Sequence, residues 1–492
     1  MPARLIQILC ACLLLIAAPC ARAQDYDIWY VVELAEKRAG WMRQTRTTQG
    51  DTITSSTQTK ITIRRDQITI TVEMQTEFVE STNGNPRSMR FVQQLGALPI
   101  TIDYVFYDDH ISVTTTQNDQ SIESTLPLPE GVWLTPAAAE QYLSQRLAAG
   151  ANKIIVRTID PSQGPTPVVT TRTELEKTNI EVVGRIVPAI RCTAINSAFP
   201  ALPSVEYIDE KGIVIRAEAD IGGMKFTFMA ADRDLALAEL EAPELMQSTL
   251  VHVNEPIDRP RNTTRATFVL AVPDGSMPDV PQSGPQRSER IDERHVKVTI
   301  DTHNVAAVDQ ADVDNSAYLE SSAMITASDT LVAQLTERAT RSAGDDPSIR
   351  AEALRRFVYR HIDEKDLSVG FASAAEVARS RQGDCTEHGV LLAAMLRADG
   401  IPSRVASGLI YAEQFVGARD IFGYHMWAQA LLEVDGTPTW VDLDAVLPPQ
   451  IAFDATHIAL SYSHLATGRS QNALVTLAPL LGRLSIQVES VE

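Results

Sequence analysis

A chain of 492 residues, 44% hydrophobic and 22% charged, is too long for one ordinary core and apolar enough to fill more than one, so two or three globular domains are expected. The formal net charge of -20 excludes a protein whose work is gripping nucleic acid or an anionic lipid surface. Acidity beyond that favours solubility and is given no functional weight.

Residues 1–23 read as a secretory signal, with Arg4 as the positive start, LIQILCACLLLIAA as a short apolar stretch and Ala21-Arg22-Ala23 as the cleavage site. The apolar run is short for a membrane span, so the mature chain is expected from Gln24, exported to the periplasm, cell envelope or medium with no stable span left. Cys10, Cys12 and Cys20 leave with the leader, and Cys192 and Cys385 remain. An exported protein could pair these two. The other reading makes Cys192, in the moderately apolar RIVPAIRCTAINSA, a buried free thiol.

Residues 24–255 carry mainly period-two patterns rich in Ile, Thr and Val, such as TKITIRRDQITITVEMQTEFV and MKFTFMAAD, and predict antiparallel sheet. One helix interrupts them, TPAAAEQYLSQRLAAG, with Thr135 as N-cap, Pro136 at its first position and Gly150 at its close. No cluster of His, Cys or carboxylates stands out there. Residues 256–320 bring strands TRATFVLAV and HVKVTID around the loop PDGSMPDVPQSGPQRSER. Residues 471–492 close the chain as a further strand.

Residues 321–470 open with helices. Ser328 or Asp329 caps a helix whose apolar face is Leu331, Val332, Leu335 and Ala339. Asp346 caps the next, with Pro347 in its first turn and Ile349, Leu354, Phe357, Val358 and Ile362 as its buried stripe. Ser373 and Glu376 form a capping box on a short third helix.

In RQGDCTEHGVLLAAMLRADG, Asp384 and Glu387 form a second capping box and place Cys385 in the first turn of an apolar helix. Unpaired N–H groups at a helix start favour a thiolate and an acyl oxyanion. A base follows in HMWAQALLEV, where His425, Trp427, Gln429 and Leu431 share one strand face. A two-residue turn at Asp435-Gly436 sets Val434 opposite Thr437 and therefore Asp444 opposite Trp427, one diagonal step from His425. Asp442 shares that face a step farther off. Cys385 is thus the candidate nucleophile, His425 the base and Asp444 the orienter of the imidazole. His388, on the nucleophile's own helix, is placed in a supporting role. Trp427 either walls the cleft, helps an oxyanion or simply packs.

These residues resemble the exported bacterial transglutaminase-like domain, a papain-like cysteine fold, over roughly Ala327 to Leu460. The resemblance implies an α+β domain of helices on an antiparallel sheet and assigns the same three residues, Cys385, His425 and Asp444. The family often has H-A-W before Val-Glu, where this chain has HMW before Ala428 and Gln429. It often has Asp-Pro-Thr at the third site, where this chain has Asp444-Ala445-Val446.

The reading that follows is a thiol acyl-transfer enzyme acting on glutaminyl or peptide amide bonds of a protein or peptide substrate. A cysteine peptidase or amidase on envelope peptides would use the same residues with water as acceptor. A non-catalytic envelope binding module would keep the fold alone. Neither a phosphate-binding glycine loop nor H-E-x-x-H occurs, so no cofactor and no metal is expected. His110, His252, His295 and His303 stand singly, and His457 and His464 either line the cleft edge or, the reading preferred, are structural.

Overall fold

The computed structural model describes residues 25–492 apart from 66–67, 95–98, 118–119, 201, 222, 245, 366–370, 466–476 and 478–479. The leader expected at 1–23 and the start of the segment 471–492 lie outside the described residues.

Branched Thr, Ile and Val side chains suit a pleated surface, and they build one antiparallel sheet of 14 strands. Its first half is β1 (Tyr26–Leu34), β2 (Lys37–Gln49), β3 (Thr52–Arg65), β4 (Ile68–Ser81), β5 (Pro86–Gln94), β6 (Ile100–Phe106), β7 (His110–Gln117) and β8 (Gln120–Pro127). Helix α1 (Pro136–Ala148) leads into β9 (Ile154–Ile159), β10 (Pro167–Val182), β11 (Arg185–Asn196), β12 (Ser204–Ile208), β13 (Val214–Ile221) and β14 (Met224–Ala231). Neighbours in sequence pair within each half, and β1 joins the halves by pairing β14 with Trp29 opposite Ala231.

The sheet curls. Ile159 of β9 packs with Phe78, Met89, Tyr104 and Ile111, which brings one edge strand over the face of β4–β7. Helix α1 covers a second cluster, where Leu143 and Leu147 meet Ile154, Cys192 and Ile208. Thr135 stands at its N-cap position, but its hydroxyl donates to Glu80 of β4. That carboxylate also accepts from the Ala137 N–H at 2.9 Å, so Glu80 supplies the negative cap.

The remaining chain is a helix-plus-sheet region, α+β overall. Helices α2 (Thr330–Thr340), α3 (Pro347–His361), α4 (Ala374–Ser380) and α5 (Cys385–Ala398) pack on a sheet ordered β15-β20-β19-β22, with β21 also on β20. These strands are β15 (Val251–His252), β19 (Ser403–Phe415), β20 (Ala418–Val434), β21 (Thr437–Leu443) and β22 (His457–Ser463). A second sheet, ordered β17-β18-β16-β23, comprises β16 (Arg265–Ala271), β17 (Gln286–Arg290), β18 (His295–Asp301) and β23 (Ser485–Val491).

Met426, Ala428, Ala430 and Leu432, the alternate residues of β20, enter the core beneath α5 with Val390, Leu391 and Ala394. Leu409, Tyr411, Phe422 and Ile458 instead meet Phe268, Leu270 and Val298 of the second sheet. Asp329 and Asp346 cap α2 and α3, and both expected capping boxes form. Ile349 departs from its expected burial and is 55% exposed, because the first turn of α3 runs past the edge of the core. No helix among the described residues is long and apolar enough to cross a membrane.

Candidate active site

Gly383 begins the site. Its φ of 144° and a built Cβ only 2.3 Å from the Glu387 side chain leave room for glycine alone. Closure there lets Glu387 Oε2 accept the Asp384 N–H at 2.9 Å while Asp384 Oδ1 accepts the Thr386 N–H at 2.9 Å. The box is tightened by the Ala372 N–H, which donates to Glu387 Oε1 at 2.9 Å. Burial and then the Asp384 charge raise the Glu387 carboxyl to about 8.

Cys385 follows as the first helical residue, free and partly exposed. The protein packed around its sulfur pushes the thiol well above its ordinary value, and Asp384 and Glu387 add to that push. The backbone N–H of Met426 opposes the shift, as does Arg65. A Cβ on Gly389, one turn along α5, would lie 3.3 Å from the Met426 side chain, which sets the start of that helix beside β20 near His425.

His425 is buried, and its Nε2 donates to Asp444 Oδ2 at 2.9 Å. This hydrogen bond leaves Nδ1 as the ring nitrogen with the lone pair. The Asp435–Gly436 turn has positive φ at both residues, 51° and 75°, and pairs Val434 with Thr437 as the strand parity requires. The ladder ends at Leu443 opposite Ala428, so Asp444 lies one residue past β21. Its Oδ1 accepts the Val446 N–H at 2.8 Å. Burial disfavours its charge, but His425 and His457 hold the carboxyl far below the usual range, so it is ionised.

His457 is a residue to which sequence reasoning assigned a structural role, with the cleft edge as the alternative. It is fully buried, and its Nε2 donates to the same Asp444 Oδ2 at 3.3 Å. Its Nδ1 faces the Asp454 carbonyl at 3.1 Å, making both ring nitrogens donors. Burial opposes its charge, yet Asp454 and Asp444 raise it to about 9. Arg261 in turn pairs Asp454 at 2.7 Å. The approach of His457 depends on Gly408, which pairs with His425 on one side and Ala459 on the other. A Cβ there would lie 2.0 Å from the Ile458 carbonyl.

His388 is also buried, with Nδ1 2.6 Å from the Asp384 carbonyl and Nε2 without a partner among the described residues. Burial lowers it to about 4, which makes it a weak base beside His425. Trp427 gives its indole N–H to Asp442 at 2.7 Å, so that donor is occupied. Gln429 donates to Asp442 at 2.8 Å and accepts from Arg404 at 2.9 Å. An amide at 429 avoids setting a second carboxylate against Asp442, which burial already raises to about 6.

A second residue beyond reach of sequence reasoning is Arg355 of α3. Its buried guanidinium donates to the carbonyls of Asp444, Leu447 and Pro449, each at 3.1 Å, and pins the loop that carries Asp444. The ligand atoms of His425, Asp444 and His457 lie within 4.8 Å of one another. Their mutual hydrogen bonds account for that spacing.

The nucleophile helix, the β20–β21 hairpin and the intervening β19 coincide with a family match to the transglutaminase-like superfamily at residues 333–445. Residues 333–445 are a transglutaminase-like domain. The transglutaminase-like fold is often catalytic. No curated protein matches the chain.

Several solved structures resemble it in part. A β-barrel-like protein of domain of unknown function DUF1849 from Brucella abortus is 15% identical, with 43% of this chain and 97% of that one covered at a TM-score of 0.34. A candidate cysteine protease from Cytophaga hutchinsonii is 14% identical over 47% of this chain and 86% of that one, at 0.27. The periplasmic domain of TgpA from Pseudomonas aeruginosa, bound to ethylmercury, is 12% identical over 38% and 91%, at 0.23. Likenesses of this size carry no argument about the transglutaminase-like domain.

Proposed function

We propose that this chain is an exported thiol acyltransferase in which Cys385, His425 and Asp444 act on glutaminyl or peptide amide bonds of a protein or peptide. The observation that supports it is the fixed tautomer of His425, which lies on the strand that the Cys385 helix packs against and whose Nε2 is committed to an ionised Asp444. Export rests on the leader pattern of residues 1–23.

In the first half-reaction the Cys385 thiol proton passes to His425 Nδ1 and the sulfur attacks the amide carbon. The carbon–nitrogen bond breaks, nitrogen leaves with the proton from His425, and a thioester remains. An amine or water then attacks that carbon, gives its proton to His425, and the carbon–sulfur bond breaks as the sulfur regains a proton. Because the resting thiol is hard to ionise, its proton transfer is coupled to substrate arrival rather than completed beforehand.

The test is ammonia release and amine incorporation on a glutamine-containing peptide by the purified mature chain. Activity lost in Cys385→Ser and His425→Ala supports the reading, and product without ammonia or amine exchange identifies peptide hydrolysis. Turnover that survives Cys385→Ser would sink it.

A further inference from the structure

The 14-stranded sheet meets the transglutaminase-like domain through one end of its hairpins. Arg65 and Ile68 face each other where β3 turns into β4. Arg65 reaches from that tip to Asp384, with Nη2 2.8 Å from Oδ2. Gln117, the last residue of β7, donates to Glu376 Oε2 at 3.1 Å in a buried contact. Ile100, the first residue of β6, packs on the helical core. A cleft of about 330 Å³ between the two parts is lined by Thr115, Gln117, Ser321, Ala323, Thr326 and Ala375.

The Arg65 contact differs from the other two because of where it ends. Asp384 is the N-cap of α5 and the residue before Cys385, and its side chain is only 8% exposed. A carboxylate so enclosed needs a partner, and a negative charge beside a sulfur opposes formation of a thiolate. Arg65 is 24% exposed and supplies the opposite charge from outside the domain.

We propose that Arg65 is a positioning residue for the Cys385 nucleophile, holding the Asp384 cap and cancelling its charge, so that the N-terminal sheet is a working part of the active site. This rests on the acyl-transfer reading above. The groups that bear on the thiol are Asp384 and Glu387 on α5, the Met426 backbone on β20, and Arg65 from β3, with His388 and His425 on the same two elements. Burial pushes the thiol up, Asp384 pushes the same way, and Arg65 is the cationic side chain that pulls it down. Asp384 itself, against its burial, is held below the usual carboxylate range by Arg65 and by hydrogen bonds from Thr386.

The experiment is iodoacetamide labelling of Cys385 in the full mature chain across neutral and alkaline pH, read by mass spectrometry of the Cys385 peptide. Arg65→Gln is expected to move the labelling midpoint up by about one pH unit and to slow labelling near neutrality about tenfold. Arg65→Lys, which keeps the charge, should stay within about threefold of the parent rate. In an Asp384→Asn background, Arg65→Gln should have a smaller effect, since the charge it cancels and the anchor of its guanidinium are gone and only its direct pull on the thiol is left.

A residue that only tethers two domains would lower the melting temperature and leave the midpoint in place. An unmoved midpoint in folded Arg65→Gln therefore overturns the proposal. Should that variant fail to fold, Asp384→Asn decides: a lowered midpoint supports the charge argument and an unchanged one defeats it. A chain with no turnover whose midpoint still follows Arg65 defeats the acyl-transfer reading instead, whereas an active chain indifferent to Arg65 defeats this inference alone.

Discussion

His425 Nε2 lies 2.9 Å from Asp444 Oδ2, and the same oxygen accepts from His457 Nε2 at 3.3 Å. One carboxylate oxygen therefore orients the candidate base and neutralises a second, protonated histidine. The geometry ties the tautomer of His425 to an electrostatic cluster extending through Asp454 to Arg261.

Asp444→Asn replaces an acceptor by an amide that can present a donor to His425. The ring would then be free to turn its lone pair toward residue 444, away from the sulfur. Turnover is expected to fall about 10³–10⁴-fold. Steady-state kinetics beside circular dichroism checks that the loss is not unfolding.

His457 gives the protein a pH-dependent stability of known sign. Its folded value, about 9, lies above its ordinary 6.5, so its contribution is complete below about 6.5 and is lost as pH rises from there through about 9. The size is at most about 3 kcal/mol. Glu387, raised to about 8, works in the same direction. The melting temperature should fall between neutrality and mild alkali, and His457→Gln should start lower and fall less steeply.

Arg355→Met keeps the side chain's length and removes its donors to three carbonyls around Asp444. The loss is about 3 kcal/mol of stability, as for charged hydrogen bonds withdrawn from buried acceptors. In molecules that remain folded kcat should drop more than KM changes, because the loop holds the orienter and not the substrate. Denaturant titration together with kinetics separates the two effects.

Gly383→Ala would force a Cβ into Glu387 at a backbone angle of φ 144°. The strain and the lost capping contacts together cost about 2–4 kcal/mol. Thiol labelling of Cys385 should change along with the melting temperature, because the helix start that holds the sulfur must move.

Cys192 is fully buried, and burial pushes its thiol up to about 12. Neither it nor Cys385 is in a disulfide. The folded mature chain should therefore take one equivalent of iodoacetamide by intact mass, and Cys192→Ala should leave that number unchanged.

What local rules control was legible in the chain. Ser373 with Glu376 and Asp384 with Glu387 form their capping boxes because both partners sit within one helical turn. The two-residue turn at Asp435–Gly436 transmits parity along one hairpin, so the relation of His425 to Asp444 followed from counting. The period-two pattern of the first half likewise announced antiparallel sheet.

Contacts between distant segments obey no such spacing, and the tertiary structure alone decided them. Pairing of β1 with β14 joins residues some two hundred positions apart. His457 reaches Asp444 only because Gly408 lets β22 press close to β19. Ile349 fits the apolar stripe of α3 by period but stands clear of the core by position. Trp427 shares a face with His425, yet its indole serves Asp442. Arg65 is a plain hairpin residue in the sequence and meets Asp384 across 319 positions. Local geometry sets which groups can share a helix turn or strand face, and long-range packing sets which charges they meet.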